Sequence, residues 1–421
     1  MFLSATGSLA LPAAATPPSD RVTVGVVGTG SRAQQVMDDV LAAGGIEIVS
    51  LADAYTGRLD RAVERTGGRA KIVPDFRDIF EDPAIDAVII ASPDHWHARH
   101  CIQALNAGKH VYCEKPLTYT IDEGLAVARA VEKSGKKLQV GSQPMSSRLQ
   151  QKARELIESG ELGQITMIRA ANNRNSSSGA WLYPIPPDAN EQTVDWELFQ
   201  GSAPPREFSL ERFFRWRCFQ DYSGGIATDL FVHLFTSIHH MMGAQAPSEV
   251  VAMGDLYRWT ESRDVPDTLN AVARYPEGFT VNLSSTFNNS SSAGSGFEIL
   301  GTEGSLTIGA TRMYHRREVV RESNGWIVAA WPAELEAEYL AGLAAGSRRR
   351  RRPEPEEFRE GRVPATQIHW RSFLESILDD KPVVQDVWAG HRAAACAHMV
   401  NLSAAEGRQV RWDAARNTTA A

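Results

Sequence analysis

The feature that most constrains the fold is a glycine motif placed between a strand pattern and a helix pattern. Residues 22–27, VTVGVV, are rich in β-branched side chains, and GTGSRA follows directly at residues 28–33. Gly28 permits a tight turn, Gly30 lets a ligand approach the backbone, and the small Ala33 permits close packing of helix on strand. A helix that begins here directs backbone N–H groups toward an anion. The motif therefore predicts a site for the pyrophosphate of a dinucleotide.

A carboxylate at the end of the next strand pattern supports this prediction. Residues 46–54 are IEIVSLADA, an apolar strand that ends beside Asp53, and the spacing from the glycines is the usual one of about 20 to 25 residues. Asp53 can bind the ribose hydroxyls and repels a 2′-phosphate, so NAD is the predicted cofactor, while Arg58 leaves a smaller case for NADP. Ser31 and Arg32 in the motif are further predicted cofactor contacts.

The chain of 421 residues is too long for one ordinary core, and its pattern changes once. Strand and helix patterns alternate through residues 21–145, which predicts a doubly wound parallel sheet, a Rossmann domain. From residue 146 to 421, stretches such as TLNAVARYPEGFTVNLSST alternate apolar and polar residues around turns. This is typical of an α+β domain with a large, open, mostly antiparallel sheet. Two amphipathic helices near the C-terminus could cover that sheet or return to the first domain.

Charge and cysteine usage exclude several classes of protein. The net charge of −7 and the pI near 5.9 argue against nucleic acid or an anionic membrane as the main partner. The four cysteines have neither paired nor zinc-like spacing, so we expect buried thiols and no metal site; they are Cys101, Cys113, Cys218 and Cys396. The arginine block at residues 348–352 is typical of a solvated loop, with a local anion contact as the alternative.

Residues 1–20 support two interpretations. FLSATGSLALPAAAT resembles the apolar region and cleavage site of an export signal, and Phe2-Leu3 resembles the residues directly after the paired arginines of a twin-arginine signal. The positive region that such a signal needs is missing from the stretch. A truncated signal would place the protein in the periplasm, whereas a disordered tail would leave it in the cytoplasm.

Three polar loops come after later strands of the predicted parallel sheet and should meet at its carboxyl edge, where ligands bind. They are SPDHWHA at residues 92–98, CEKPLT at 113–118 and GSQPMSS at 141–147. A cation is costly to desolvate, so Lys115 at the end of a buried strand points to function, and a salt bridge to Glu114 or another acid is the alternative. The same loops contribute predicted cofactor contacts at Ser92, Pro93, His97, Glu114 and Lys115, and predicted substrate contacts at Trp96 and Gln143. Asp94 and His97 could instead serve only to cap the helix that starts there.

These motifs, together with GGIATDLFVHL at residues 224–234, resemble the Gfo/Idh/MocA family of NAD(P)-dependent sugar and inositol oxidoreductases. The resemblance extends from residue 21 to about residue 413. It implies a Rossmann domain, an α+β domain whose open sheet often forms homo-oligomers, and a site at their junction. It assigns catalytic roles to Lys115, Asp229 and His233, and the segment before residue 224 resembles a frequently exported subgroup. Arg217 and Tyr222 of that segment are candidate substrate contacts.

The residues themselves agree with this assignment. Asp229 and His233 are four apart and should share one helix face, after a flexible pair of glycines. Oxidation of a carbinol needs a base for the hydroxyl proton and a cation beside the developing alkoxide, so His233 suits the first role and Lys115 the second, although either could accept the proton. Thr236 stands where the family often has a second acid.

Three functions compete at this point. The first is an NAD-dependent dehydrogenase acting on a secondary hydroxyl, or the matching keto group, of a sugar, glycoside or cyclitol. The second is an NAD-retaining glycosidase that works by transient oxidation and elimination. The third, a non-catalytic binding protein, is disfavoured because Lys115 and His233 are both present.

Overall fold

A computed structural model describes residues 21–291, 296–319, 324–346 and 353–420. The predicted signal or tail at residues 1–20 and the arginine block at residues 348–352 lie outside the described residues. Both interpretations of the N-terminus therefore stay predictions. Among the helices that the structure does describe, none is long and apolar enough to cross a membrane.

The first sheet is the predicted parallel one. Its six strands lie in the order β3-β2-β1-β4-β5-β6 and every neighbouring pair is parallel. This is the Rossmann order, which places a topological switch between β1 and β4. The strands are β1 (Val22–Val27), β2 (Ile46–Ala52), β3 (Lys71–Ile72), β4 (Ala87–Ile90), β5 (His110–Glu114) and β6 (Leu138–Gly141).

Five helices connect these strands. Each crosses over one face of the sheet, as parallel neighbours require. Helix α5 begins with a complete capping box at Thr120 and Glu123 and ends at Gly135 in the left-handed conformation, so its sequence fixes both of its ends. The helices are α1 (Ser31–Ala43), α2 (Thr56–Arg65), α3 (Phe76–Glu81), α4 (Asp94–Asn106) and α5 (Ile121–Ser134).

The second sheet has ten strands among the described residues and is antiparallel except where β7 pairs with β10. Its order is β14-β13-β12-β11-β7-β10-β9-β8-β15-β16. Along β9 buried and exposed residues alternate, as predicted for a sheet with one covered face. The strands are β7 (Ile165–Ala171), β8 (Glu249–Asp255), β9 (Thr268–Arg274), β10 (Thr280–Thr286), β11 (Gly296–Gly301), β12 (Gly304–Ile308), β13 (Arg312–Arg317), β14 (Glu356–Arg359), β15 (Val410–Asp413) and β16 (Thr418–Thr419).

The remaining helices lie along the second half of the chain. They are α6 (Arg148–Glu158), α7 (Trp196–Gln200), α8 (Leu210–Phe214), α9 (Val232–Met242), α10 (Gly325–Val328), α11 (Ala333–Gly346), α12 (Ala365–Leu378) and α13 (Val387–Glu406). Short 3-10 turns occur at Gln143–Ser146 and Trp216–Cys218, and a π-helical turn at Ala227–Phe231 runs directly into α9.

The two C-terminal helices return to the first domain. Trp370 of α12 is buried and stacks on Tyr112 of β5 with ring centroids 3.7 Å apart, and Phe373 joins the same core. Val387 of α13 joins the core on the opposite face of the Rossmann sheet, while Met399 of α13 belongs to the core of the second domain. The C-terminal helices thus complete the cover of both domains and hold them together.

Candidate active site

A deep cleft with a volume of about 1300 Å³ lies between the two domains, at the carboxyl edge of the parallel sheet. It contains the predicted cofactor contacts and all but one of the predicted substrate and catalytic residues. Those that line it are Gly28, Gly30, Ser31, Arg32, Asp53, Ser92, Pro93, Trp96, His97, Glu114, Lys115, Gln143, Arg217, Asp229 and His233. The three polar loops therefore meet as the parallel topology predicts.

Tyr222 is the exception. Its side chain is fully buried outside the cleft, packed between the rings of His95 and Phe199. Sequence reasoning could not separate it from Arg217, because both belong to the same aromatic-rich segment. Tyr222 holds that segment in place and does not contact the cleft.

The glycine loop has the geometry that a bound pyrophosphate requires. Gly28 has φ of +84°, and a Cβ atom there would lie 2.7 Å from the backbone nitrogen of Ser92, so only glycine fits between β1 and β4. A Cβ atom added at Gly30 would be in ordinary van der Waals contact with Arg58, 3.8 Å from its guanidinium carbon. The loop can therefore receive an anion at the start of α1.

Asp53 closes the ribose end of the cleft. Its carboxylate accepts hydrogen bonds from the backbone nitrogens of Thr29 at 2.6 Å and Tyr55 at 2.8 Å, which fix it beside the glycine loop. Arg58 lies 3.7 Å from the same carboxylate, and its guanidinium carbon sits 5.1 Å above the ring of Phe213. The residues present therefore fit NAD, with a fixed acid where the ribose hydroxyls would lie.

Glu114, the residue before Lys115, pairs with Arg32 and not with Lys115. It accepts from Arg32 Nε at 3.1 Å and from Gln143 Nε2 at 2.9 Å, and Gln143 also donates to the Tyr112 hydroxyl at 2.8 Å. The structure shows no Lys115–Glu114 salt bridge, but the other form of that alternative, a salt bridge to another acid, is present, because Lys115 pairs with Asp229. Glu114 instead ties the start of α1 to the end of β5.

Lys115 reaches across the domain boundary. Its Nζ atom donates to Asp229 Oδ1 at 2.8 Å and to the Asp229 backbone carbonyl at 3.1 Å, and Arg217 Nε donates to the same Oδ1 at 3.0 Å. Burial alone would raise the pKa of Asp229, but Lys115 and Arg217 hold that pKa well below its usual range. The peptide bond between Lys115 and Pro116 is cis. The two hydrogen bonds to Asp229 hold the Lys115 ammonium at the cleft.

His233 lies beside this ion pair. Burial and then the charge of Lys115 lower the pKa of His233 to about 3, so its imidazole is neutral at pH 7. Its Nδ1 atom is buried and has no hydrogen-bond partner among the described residues. The sequence predicts that Asp229 and His233 share one face of a regular helix. In the structure Asp229 belongs to the π-helical turn and His233 to the first turn of α9. Such turns occur often at functional sites.

His97 and Trp96 support the cleft wall. The two ring nitrogens of His97 lie 2.6 Å from the Pro116 carbonyl and 2.8 Å from the Ser92 carbonyl, so this ring links two of the polar loops. The indole N–H of Trp96 donates to the Phe199 carbonyl at 2.8 Å. Both side chains line the cleft while their polar atoms are engaged by the protein.

Several residues that line the cleft were not assigned to the site from the sequence, among them Asp94, Arg174 and Tyr183. Asp94 does not cap α4; its Oδ2 atom accepts from Ser223 Oγ at 2.9 Å and Thr228 Oγ1 at 3.4 Å in the second domain. Arg174 and Tyr183, both in the segment that follows β7, also line the cleft. The sequence contains one indication that Arg174 lies at the site, because the polar stretch AANNR at residues 170–174 follows an apolar strand pattern.

A segment that we call the strap (residues 188–214) crosses from the second domain over the nucleotide end of the cleft. Val194 forms a β-bridge with Tyr55, and the Asp195 backbone nitrogen donates to the Ala54 carbonyl at 2.7 Å. These bonds lie just after Asp53 at the end of β2. The strap therefore covers the side of the cleft where the adenosine of a dinucleotide would lie.

Comparison with known proteins agrees with the architecture. A family model described as the oxidoreductase family, NAD-binding Rossmann fold, matches residues 22–142, and a Gfo/Idh/MocA C-terminal domain model matches residues 193–307. The chain belongs to the Gfo/Idh/MocA family. Its N-terminal domain is accordingly an NAD-binding Rossmann domain, as the glycine motif predicted.

Two relatives show how much of the chain such matches cover. Inositol 2-dehydrogenase of Salmonella typhimurium is 32% identical over 141 residues, which are 33% of this chain and 42% of that enzyme. The chain therefore matches less than half of that relative's length. The scyllo-inositol 2-dehydrogenase (NAD(+)) of Bacillus subtilis is 28% identical over 274 residues, covering 64% of this chain and 68% of that enzyme.

Among solved structures, levoglucosan dehydrogenase in complex with NADH and levoglucosan superposes with a TM-score of 0.68. It is 21% identical in sequence, and the match covers 93% of this chain and 99% of that one. At this identity the likeness establishes the fold, a Rossmann domain followed by a mostly antiparallel sheet, and confirms the fold class predicted from the sequence.

Proposed function

We propose that the protein is an NAD-dependent oxidoreductase that interconverts a secondary hydroxyl and a keto group on a sugar, glycoside or cyclitol. The observation that carries the proposal is the contact of Lys115 Nζ with Asp229 at 2.8 Å, beside the neutral His233, at the carboxyl edge of a dinucleotide-binding sheet. The polyol and sugar dehydrogenases among the relatives and solved structures support the substrate class.

In this proposal His233, Lys115 and Arg217 have separate tasks. NAD, when bound, supplies the acceptor for the hydride that leaves the carbinol carbon. His233 accepts the hydroxyl proton in this proposal, because its side chain borders the cleft and its Nδ1 atom has no hydrogen-bond partner among the described residues. Lys115, which pairs with Asp229, stabilises the negative charge that develops on the substrate oxygen. Arg217 fixes the carboxylate from its other side.

The direct test is a substrate panel. The purified protein is incubated with NAD and inositols, hexoses, levoglucosan and simple glycosides, and nicotinamide absorbance is monitored. NADH formation with a member of the panel supports the proposal. Tight NAD binding without turnover of any compound, in either direction, would contradict it. NADP tested in parallel should be the poorer cofactor, because the fixed Asp53 carboxylate repels a 2′-phosphate.

One observation favours the second candidate, the NAD-retaining glycosidase. The strap is hydrogen-bonded to the turn after β2 and to α4, where the Phe199 carbonyl lies 2.9 Å from His95 Nε2 and accepts from Trp96 Nε1. A cofactor under this cover would leave slowly, as a redox-neutral reaction needs. Release of an aryl group from an aryl glycoside without net NADH, by protein purified with NAD already bound, distinguishes this candidate from a simple dehydrogenase.

The outer face of the second sheet supports a homo-oligomer. Val251 and Val272 are opposite each other on β8 and β9 and are 45% and 51% exposed, and Met253 beside them is 76% exposed. Paired apolar residues on one exposed sheet face are typical of an interface. We propose that a second copy of the chain covers this face, and sedimentation or light scattering of the purified protein, with Met253→Lys as the comparison, tests it.

A further inference from the structure

The catalytic end of the cleft holds a cation without a carboxylate partner. Arg174 follows β7 and lines the cleft, and its contacts are weak: Nη1 donates to the Gly179 carbonyl at 3.5 Å, and the guanidinium carbon lies 5.9 Å from the Phe287 ring. No carboxylate of the described residues forms a salt bridge with it within 4.0 Å. A guanidinium in such a position has donors free for a ligand.

The other cations of the cleft are paired. At the nucleotide end Arg32 pairs with Glu114 at 3.0 Å and Arg58 with Asp53 at 3.7 Å. At the catalytic end one carboxylate, that of Asp229, serves both Lys115 and Arg217. Adding Arg174 gives three cations around a single ionised acid.

Arg174 belongs to the same electrostatic group as the catalytic residues. Burial and the charge of Lys115 have the largest effects on the pKa values of Asp229 and His233. The charge of Arg174 lowers both pKa values, as the charge of Lys115 does. Its guanidinium therefore lies near enough to influence the reacting end of the cleft. A negatively charged ligand there would meet a positive field in a partly buried site.

Two further carboxyls line the cleft, and both are occupied. Asp94 accepts from Ser223 and Thr228, and burial raises its pKa. Glu360 accepts from the backbone nitrogen of Arg148 at 3.0 Å, at the start of α6. Neither carboxyl is bonded to Arg174.

We propose that the substrate carries a carboxylate, as a uronic acid or another sugar or cyclitol acid does, and that Arg174 binds this group. The inference rests on the proposed function, since it names the substrate class of the same site. The planar guanidinium matches a carboxylate through two parallel hydrogen bonds. Lys115 and Arg217 already share the Asp229 carboxylate, so the free donors at this end belong to one planar guanidinium, which one carboxylate can fill.

Binding measured by calorimetry on the NAD-loaded protein tests the proposal without depending on turnover. The ligands are matched pairs: D-glucuronate with D-glucose, D-galacturonate with D-galactose, and D-mannuronate with D-mannose. In at least one pair the acid should bind about tenfold more tightly, and Arg174→Gln should remove this preference with little change for the neutral sugar. Arg169→Gln is the control, since Arg169 lies on β7 outside the cleft and pairs with Glu298.

Three results would overturn the inference. The first is equal or tighter binding of the neutral sugar in every pair, and the second is equal weakening of acid and sugar by Arg174→Gln. D-glucose 6-phosphate is included as well, and tighter binding of it than of every uronate would also count against a carboxylate. NADH formation from neutral sugars without any acid preference would sustain the proposed function while rejecting this inference. Tighter binding of the acid without NADH formation would sustain this inference while rejecting the proposed function.

Discussion

Lys115 of the Rossmann domain and Asp229 of the second domain form an ion pair of 2.8 Å across the cleft, although 114 positions separate them in the chain. The side chains are only 11% and 13% exposed, so the pair is poorly screened by solvent. Because each partner comes from a different domain, the position of the catalytic cation depends on how the domains are joined. Helix α13 provides that joint, because Val387 packs in the Rossmann core and Met399 in the core of the second domain.

Cofactor choice should depend on Asp53. We expect Asp53→Ala to weaken NAD binding and to raise the ratio of kcat/KM for NADP over NAD by tenfold or more. The variant removes the acid that repels a 2′-phosphate and leaves Arg58, now 3.7 Å from that acid, free to bind it. Steady-state kinetics with both cofactors measure the ratio. An unchanged ratio would show that Asp53 only orders the glycine loop, through its bond to Thr29.

His233→Gln should lower kcat by about 100-fold or more, because the proton acceptor is lost while the size of the side chain is roughly kept. His240→Gln, on the same helix but outside the cleft, is the control and should keep most of the activity. Since the pKa of His233 is about 3, its protonation should cause no loss of kcat/KM between pH 7 and 5. A wild-type acid limb near pH 6.5 that disappears in His233→Gln would contradict the lowered pKa, and an undiminished kcat in folded His233→Gln protein would contradict the role as proton acceptor.

Asp94 should act as a positioning residue. Its carboxylate joins α4 to Thr228, the neighbour of Asp229 in the π-helical turn. We expect Asp94→Ala to leave the buried hydroxyl of Ser223 without its acceptor, to cost about 1 to 3 kcal/mol of stability, and to lower kcat more than it raises KM. Asp94→Asn keeps an acceptor oxygen and should restore most of both. Equal loss of activity in the two variants would instead point to a role for the charge.

We expect the free energy of unfolding to fall as the pH decreases from about 6.5 toward 4, a range in which histidines of the unfolded chain take up protons. Burial lowers the pKa of several histidines from an unfolded value of about 6.5 to about 3 or 4, so the unfolded chain binds more protons between these values. Their contribution to stability is complete above pH 6.5 and is lost as the pH falls toward 4. They are His95, His233, His239, His369 and His398.

Urea unfolding at pH 7.5 and 5.5 measures this dependence. Each such histidine contributes up to about 1.4 kcal/mol per pH unit, and the raised pKa of Asp94 opposes them in part. We therefore expect the free energy of unfolding to fall at pH 5.5. His398→Gln, which removes one titrating group, should reduce the dependence on pH. A free energy that is constant or rises at pH 5.5 would contradict the prediction.

Much of the Rossmann domain and the outline of the site could be predicted, because local patterns determine them. GTGSRA, Asp53 and the three polar loops lie at strand ends, and parallel strands bring such ends to one edge whatever the details of packing. The buried cysteines were predicted from spacing alone, and all four are free and buried.

The remaining features depend on contacts between segments distant in the sequence. That Lys115 pairs with Asp229 and not with Glu114 is decided by Arg32, which reaches Glu114 from α1. Trp181 has φ of +64°, a conformation that only the surrounding structure can impose on a bulky residue. Asp94 looked like a helix cap because its partners lie in another domain. No periodicity in the sequence reports such pairings.

The central claim is that Lys115 acts in the chemical step in addition to forming its ion pair with Asp229. With the best substrate from the panel, Lys115→Ala should lower kcat by about 100-fold or more while NAD affinity, measured by fluorescence titration, changes by less than about threefold. Lys152→Ala, whose ammonium lies on the surface of α6 and pairs with Glu155, should match the wild type in both measurements. An undiminished kcat in folded Lys115→Ala protein would contradict the account.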